Sequence, residues 1–367
     1  MTLCNDILTL EVSTYGAELV SLRKQGRELL WTGDPTYWNR HAPILFPAVG
    51  KPCNNELHVD GKSITMKQHG YARDSEFECV NAEMRGCEDG DASVTLALPQ
   101  ATVDALVKSN TYPYRLGLAV TYRLVGSTVE AVWTVENLDE RDAFFQIGAH
   151  PGFLLPGYRA DDAVHGYLRY YGRDGQPVRP VVVSGLADGN RVPLEQPLTV
   201  EPLMPLADDT FAHDALMFEG GQVACAELCD KEQRPVLRVN CPQAEAYGIW
   251  APHKAGCPFV CLEPWCGICD TQGFAGDISQ RQYIHRLPPR RALHLHLQHR
   301  SPIAIRVTAK RRTRRSEPGN RKADRSEEGP FWIDEGDNKG HTGGFRPRAS
   351  RRAARGRRGG QGRRHLT

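Results

Sequence analysis

The run Leu118–Val125, the dipeptide Gly126-Ser127 and the run Thr128–Val135 constrain this chain more than any other stretch. Apolar residues alternate with polar ones on both sides of a two-residue turn, and the glycine accepts positive φ, so the pattern specifies an antiparallel hairpin. Further strand patterns occur at Ile7–Val12, Ser93–Leu98, Val236–Val239 (entered through Pro235) and Ala292–Leu297. Gly, Pro and Asp turns separate them. Helical spacing is confined to Ala101–Ser109 and Ile278–Ile284, neither with a long apolar stripe. Many short strands without intervening helices point to an all-β fold, a large antiparallel β-sandwich with few short helices, rather than βαβ units. No fixed-period repeat is present.

Charge divides the chain. Residues 300–367 hold 20 Lys/Arg against 7 Asp/Glu, a net of +13, leaving 26 against 37 and a net of −11 for residues 1–299. An acidic body argues against phosphate-rich polymers as its main ligand. Residues 1–299 are therefore expected to form one β-sandwich domain. The Arg/Gly-rich residues 300–367 carry too few aliphatics to bury a core and are expected to be a disordered tail, with nonspecific polyanion binding as the sharper alternative. No basic segment followed by an apolar run opens the chain, and no stretch has the roughly 18 apolar residues of a membrane span. The expectation is a cytoplasmic protein whose 11 cysteines are reduced thiols.

Several short stretches carry chemistry. In Gly148-Ala149-His150-Pro151-Gly152-Phe153, the proline keeps His150 out of helical backbone at the end of a strand-like run. Its imidazole is read either as a proton-transfer group or as a hydrogen-bonded core residue. Around the glycine of Gln68-His69-Gly70-Tyr71-Ala72-Arg73 sit an imidazole and a guanidinium, the latter suited to sugar hydroxyls, a phosphate or a surface ion pair. Asp214, in Phe211–Leu216, offers a carboxylate or a turn cap. Glu263, in Cys261-Leu262-Glu263-Pro264-Trp265, is read as a partly buried base or as the partner of an arginine, and Trp265 as a stacking surface for a sugar. Cys257, Cys261, Cys266 and Cys269 include one C-x-x-C but lack paired knuckles, so no metal site is assigned.

Four of these motifs occur in order: Pro43-Ile44-Leu45-Phe46-Pro47-Ala48-Val49-Gly50, His69-Gly70-Tyr71-Ala72-Arg73, Gly148-Ala149-His150-Pro151 and Leu262-Glu263-Pro264-Trp265. In order and spacing the chain resembles the aldose 1-epimerase (galactose mutarotase-like) family, in its LacX-type bacterial branch, from about Leu3 to His299. The resemblance implies a β-supersandwich, no cofactor, and interconversion of the α and β anomers of a free aldose. It implies Glu263 as the base toward the anomeric hydroxyl and His150 as the acid toward the ring oxygen, on opposite sides of the sugar. His69, Arg73, Asp214, Lys51 and Trp265 would bind substrate. Two residues depart from the family pattern: Gly152 stands where an aromatic usually follows His-Pro, and Lys51 replaces a customary Arg. Rival readings are a non-catalytic sugar-binding protein and a sugar-phosphate mutarotase using Lys51 and Arg73. A small-molecule sugar is the expected partner, and the chain is expected to be a monomer or homodimer.

Overall fold

A computed structural model of the chain describes residues 1–83 and 92–300. The tail reading for residues 300–367 falls outside them except at Arg300, which ends the strand Ala292–Arg300. The hairpin forms as its alternation demands, with Leu116–Val125 paired to Thr128–Asn137 and the turn closed at Val125↔Thr128. Alternate residues of each strand are buried, which is the signature of a sheet with one face on a core. Ala292–Arg300 pairs with the second strand of the hairpin, and Ala92–Ala97 with the first. These strands lie in the middle of a nine-stranded antiparallel sheet.

A six-stranded sheet carries Leu216–Glu219, Ala246–Trp250, Phe259–Cys266, Ile147–Ala149 and Ile44–Leu45 in that order, with Gly152–Leu154 also on Phe259–Cys266. Side chains of both sheets enter one core: Val120, Trp133 and Leu295 from the larger, Ile44, Ile249 and Leu262 from the smaller. The protein is a β-sandwich. A four-stranded sheet near the N-terminus and three two-stranded ribbons complete the described strands.

Gln100–Lys108 is the one α-helix among the described residues. The second expected helix is not formed. Asp277 caps a short 3₁₀ turn, Ile278–Gln280, and Arg281 then leaves in extended backbone. Arg281 Nε donates to buried Asp270 at 2.7 Å, and this tertiary pairing overrides the weak local helical preference. The all-thiol expectation is also corrected, because Cys4 is disulfide-bonded while nine other described cysteines are free. The helix is too short to span a membrane, and no described helix is long and apolar enough to do so.

Candidate active site

Phe259–Cys266 is buried at every position, unlike the alternating strands of the larger sheet. Leu262 and Cys266 point into the main core. Glu263 faces the opposite side of the strand, between two smaller apolar clusters, one around Trp265 and Val49, the other of Trp31, Phe259 and Cys261. The outer face of the six-stranded sheet is thus covered on both flanks and open in the middle.

The register of that sheet brings His150 to Glu263. Gly148 pairs with Trp265, and Gly152 pairs with Cys261, so one antiparallel register continues across the gap and sets position 150 opposite position 263. Pro151 lacks an N–H, which interrupts the ladder there, although Leu262 still donates to the Pro151 carbonyl at 3.1 Å. Cross-strand neighbours on one face lie close together. His150 Nε2 is 3.2 Å from Glu263 Oε2. The expectation of an acid and a base on opposite sides of the ligand is therefore corrected: both stand on the same wall.

Burial sets the electrostatics of this pair. It pushes the Glu263 carboxyl well above its ordinary range; the nearby Trp265 indole opposes that push and the Asp214 charge adds to it. The Trp265 N–H nevertheless meets no acceptor at hydrogen-bonding geometry. Burial likewise pushes His150 down to about 3, helped by the positive charges of Arg73 and Arg40. Both effects disfavour charge, so the resting pair is a protonated carboxyl beside a neutral imidazole. One transferable proton is held between two basic sites.

His69 is positioned by a bend that needs glycine. Gly70 has φ +70°, and a Cβ there would stand 2.2 Å from the Phe46 carbonyl oxygen. The Gly50 N–H donates to His69 Nδ1 at 3.1 Å, so a neutral ring carries its proton on Nε2 and donates it to the Gln68 side-chain amide 3.2 Å away, which turns its oxygen to the ring. Burial and the neighbouring His150 keep His69 neutral. Arg73 sits on the next turn, Ala72–Asp74, and Nη2 donates to the Gln68 carbonyl at 2.8 Å. Its buried Nε has no partner, and burial pushes its pKa down to about 10. Asp214, at φ +73°, accepts from the Ala215 N–H at 2.8 Å while also facing the cavity. Turn cap and cleft carboxylate are thus the same residue.

His150, Glu263, His69, Arg73, Asp214 and Trp265 line one cavity of about 280 Å³. Lys51 does not. Its Nζ donates to the Asp188 carbonyl at 2.9 Å, and it lines a second, adjoining cavity instead. Trp265 lines the cavity but is only 6% exposed and wedged against Gly148 and Gly248, so it offers a small part of its surface. The aromatic wall comes from two residues missed in the sequence. Trp38 stacks on the His150 ring at 4.8 Å and 30°, and Trp250 meets it edge-on at 5.5 Å. Trp38 is held by its backbone, whose carbonyl accepts from Trp31 Nε1 at 2.8 Å. A signal existed: tryptophans in a Gly/Asp/Pro loop and at a strand end are poorly explained by core packing alone.

Gly152 acquires a different meaning as well. A Cβ at this position would lie 3.1 Å from Phe259 and Trp31 and 3.4 Å from Trp38. Phe259 and Trp31 close on this position, and Trp38, in contact beside them, supplies from another segment the aromatic wall expected to be missing. The four-cysteine metal reading does not assemble. Cys261 and Cys266 lie five positions apart on one strand and point to opposite faces, and Cys269 packs against Gly50. Burial raises the Cys261 thiol, Cys257 to about 11 and Cys269 to about 12, and the hydrogen bond with Cys241, together with burial, raises Cys266.

Comparison with known proteins agrees with this fold. The chain is 29% identical over 295 residues to the chromosomal protein LacX of Lactococcus lactis subsp. lactis, covering 78% of this chain and 93% of that relative. A galactose mutarotase related enzyme from Lactobacillus acidophilus superposes with a TM-score of 0.69 at 27% identity, over 82% of this chain and 96% of that one. A galactose mutarotase-like protein from Lactobacillus casei ATCC 334 gives 0.70 at 27% identity, over 82% and 99%. The aldose 1-epimerase family profile matches residues 1–279, and the chain belongs to that family.

Proposed function

We propose that the protein is a cofactor-independent mutarotase that interconverts the α and β anomers of a free aldose, with residues 1–299 as the catalytic domain. The observation that carries this reading is the buried His150–Glu263 pair at 3.2 Å in the floor of a sugar-sized cleft. Ring opening of a hemiacetal removes a proton from the anomeric hydroxyl and delivers one to the ring oxygen. Those two oxygens are bonded to the same carbon, so a base and an acid standing side by side can address both.

In the reactive tautomer Glu263 is a carboxylate and His150 an imidazolium, one proton transfer across the 3.2 Å gap from the resting pair. Glu263 takes the anomeric proton while His150 gives its own to the ring oxygen. The C1–O bond to the ring breaks, the aldehyde turns about C1–C2, and the same two groups close the ring in reverse. No net proton is gained or lost. The unpartnered Arg73 Nε–H supplies a donor for sugar oxygens, the His69–Gln68 pair stands beside it, and Asp214 supplies an acceptor. Trp38 and Trp250 give the apolar wall on which a pyranose face rests.

Optical rotation of freshly dissolved α-glucose and α-galactose tests this. Wild type should hasten relaxation to equilibrium, and Glu263→Gln should lower that effect by about 10²–10⁴-fold. Equal acceleration by both proteins would overturn the assignment.

A further inference from the structure

The cleft holding His150 and Glu263 does not end at the space for one sugar. Gln68, Gly189 and Asp214 line both it and a second cavity of about 650 Å³. We infer that this adjoining cavity is a subsite for a second, uncharged glycosyl unit, so that the preferred substrate is a reducing disaccharide or longer oligosaccharide. The inference rests on the mutarotase reading for its reaction, and on the cavity alone for its substrate class.

The wall chemistry separates a sugar from a phosphate. Asn54, Asn55 and Gln272 line the cavity, and among the described residues their side-chain amides have no hydrogen-bond partner. Each offers a donor and an acceptor, the pairing that a ring of hydroxyls requires. Asn190 spends one amide proton on the Lys51 carbonyl at 2.9 Å and keeps its oxygen free. Positive charge is sparse. Lys51 is the single cation of the lining, with one proton already committed to the Asp188 carbonyl, and Asp188 and Asp214 add negative charge to the same walls. A dianionic phosphate normally finds several cations or a row of backbone N–H groups. Here it would meet two carboxylates and one ammonium. Arg73 lines the inner cavity and not this one, and the Arg191 guanidinium is spent on Glu219, Thr271, Gln282 and the Cys269 carbonyl.

The junction also has the right polarity for a glycosidic link. Gln68 and Asp214 stand where the two cavities meet, so the reducing sugar lies over Glu263 and its neighbour extends outward past them. The anomeric centre of the reducing unit stays free, as the reaction requires.

Polarimetry with α-lactose, α-glucose, α-galactose and glucose 6-phosphate tests the inference, alongside calorimetric binding of the same sugars. The variant is Gln272→Trp, which fills the outer cavity without touching the inner one. The expected result is a kcat/KM for lactose about tenfold above glucose, corresponding to one or two additional hydrogen bonds, with Gln272→Trp reducing lactose to the glucose value and leaving glucose unchanged. Lactose turned over no better than glucose, or a lactose rate untouched by Gln272→Trp, would overturn it. So would a preference for glucose 6-phosphate that is lost in Lys51→Ala. Should wild type hasten no sugar, the mutarotase reading falls. Binding then decides the subsite separately: tighter lactose binding that is lost in Gln272→Trp upholds it, and equal binding of lactose and glucose removes it.

Discussion

Replacing Glu263 by Gln should stabilise the folded chain at neutral pH while removing its base. The Glu263 side chain is 2% exposed, and burial keeps its carboxyl protonated well above the usual carboxylate range. In the unfolded chain the same group ionises at its ordinary value. Below that value both states hold the proton and the group is indifferent to folding. Above it, the unfolded chain releases a proton that the folded chain retains, and folding loses about 1.4 kcal/mol per pH unit until the folded pKa is reached. Glutamine has the same shape and no proton to lose. The stability difference between Glu263→Gln and wild type should therefore widen with rising pH, by about 2 °C in Tm per pH unit for a domain of this size. His150 acts on the other side. Pushed down to about 3, it stays neutral when folded, whereas an unfolded histidine gains a proton below about 6.5. Stability falls as pH drops through that window, but wild type and variant share this limb and it cancels in the difference. Thermal unfolding of both proteins from pH 5 to pH 8 reads the effect. A difference independent of pH, or a variant that loses ground to wild type as pH rises, would refute the reasoning. That result would mean a Glu263 carboxylate already paired with a charged His150, whose removal strands a buried cation.

Two further substitutions test the aromatic wall. Gly152→Phe should lower stability by about 1–3 kcal/mol through overpacking, because its Cβ already meets Phe259 and Trp31 at 3.1 Å. It should also slow mutarotation by displacing Trp38; an unchanged Tm and an unchanged rate would show that the space is free. Trp38→Ala removes the ring stacked on His150 at 4.8 Å, a contact of the kind worth about 0.5–1.5 kcal/mol, so kcat/KM for glucose should fall about 2–10-fold. Polarimetry showing no loss would exclude Trp38 from the sugar wall.

The fold was legible where the sequence pattern is local. Leu116–Val125 and Thr128–Asn137 announce themselves because one face is buried and the turn is two residues long, so period and register are both written into neighbouring positions. The helix Gln100–Lys108 was legible for the same reason. The segment from Ile278 was not, because its conformation answers to a buried ion pair with Asp270, eleven positions before Arg281, which helical periodicity does not record. The order of strands in the two sheets was equally out of reach: Ala292–Arg300 joins the hairpin from more than 150 positions away, through pairings that no periodicity records.

The site shows the same division, with a sharper consequence. The residue types at His150, Glu263, His69, Arg73 and Asp214 could be selected from short motifs, because a proline, a glycine turn or an adjoining apolar run constrains each locally. Their mutual geometry could not, since it depends on Gly148↔Trp265 and Gly152↔Cys261 sharing one register across an interrupted ladder. The position after His-Pro makes the limit plain. Read along the chain, Gly152 is an absence, a wall without its aromatic ring. In space it is an accommodation: Phe259 and Trp31 close to 3.1 Å on the place a Cβ would take, and Trp38, 114 residues earlier, lays its indole beside them against His150. A cleft requires a ring at a place, not at a position, and a small residue on one strand paired with a large one on a distant loop satisfies that requirement. Linear reading registers the loss at 152 and the gain at 38 as unrelated events. Only packing makes them one.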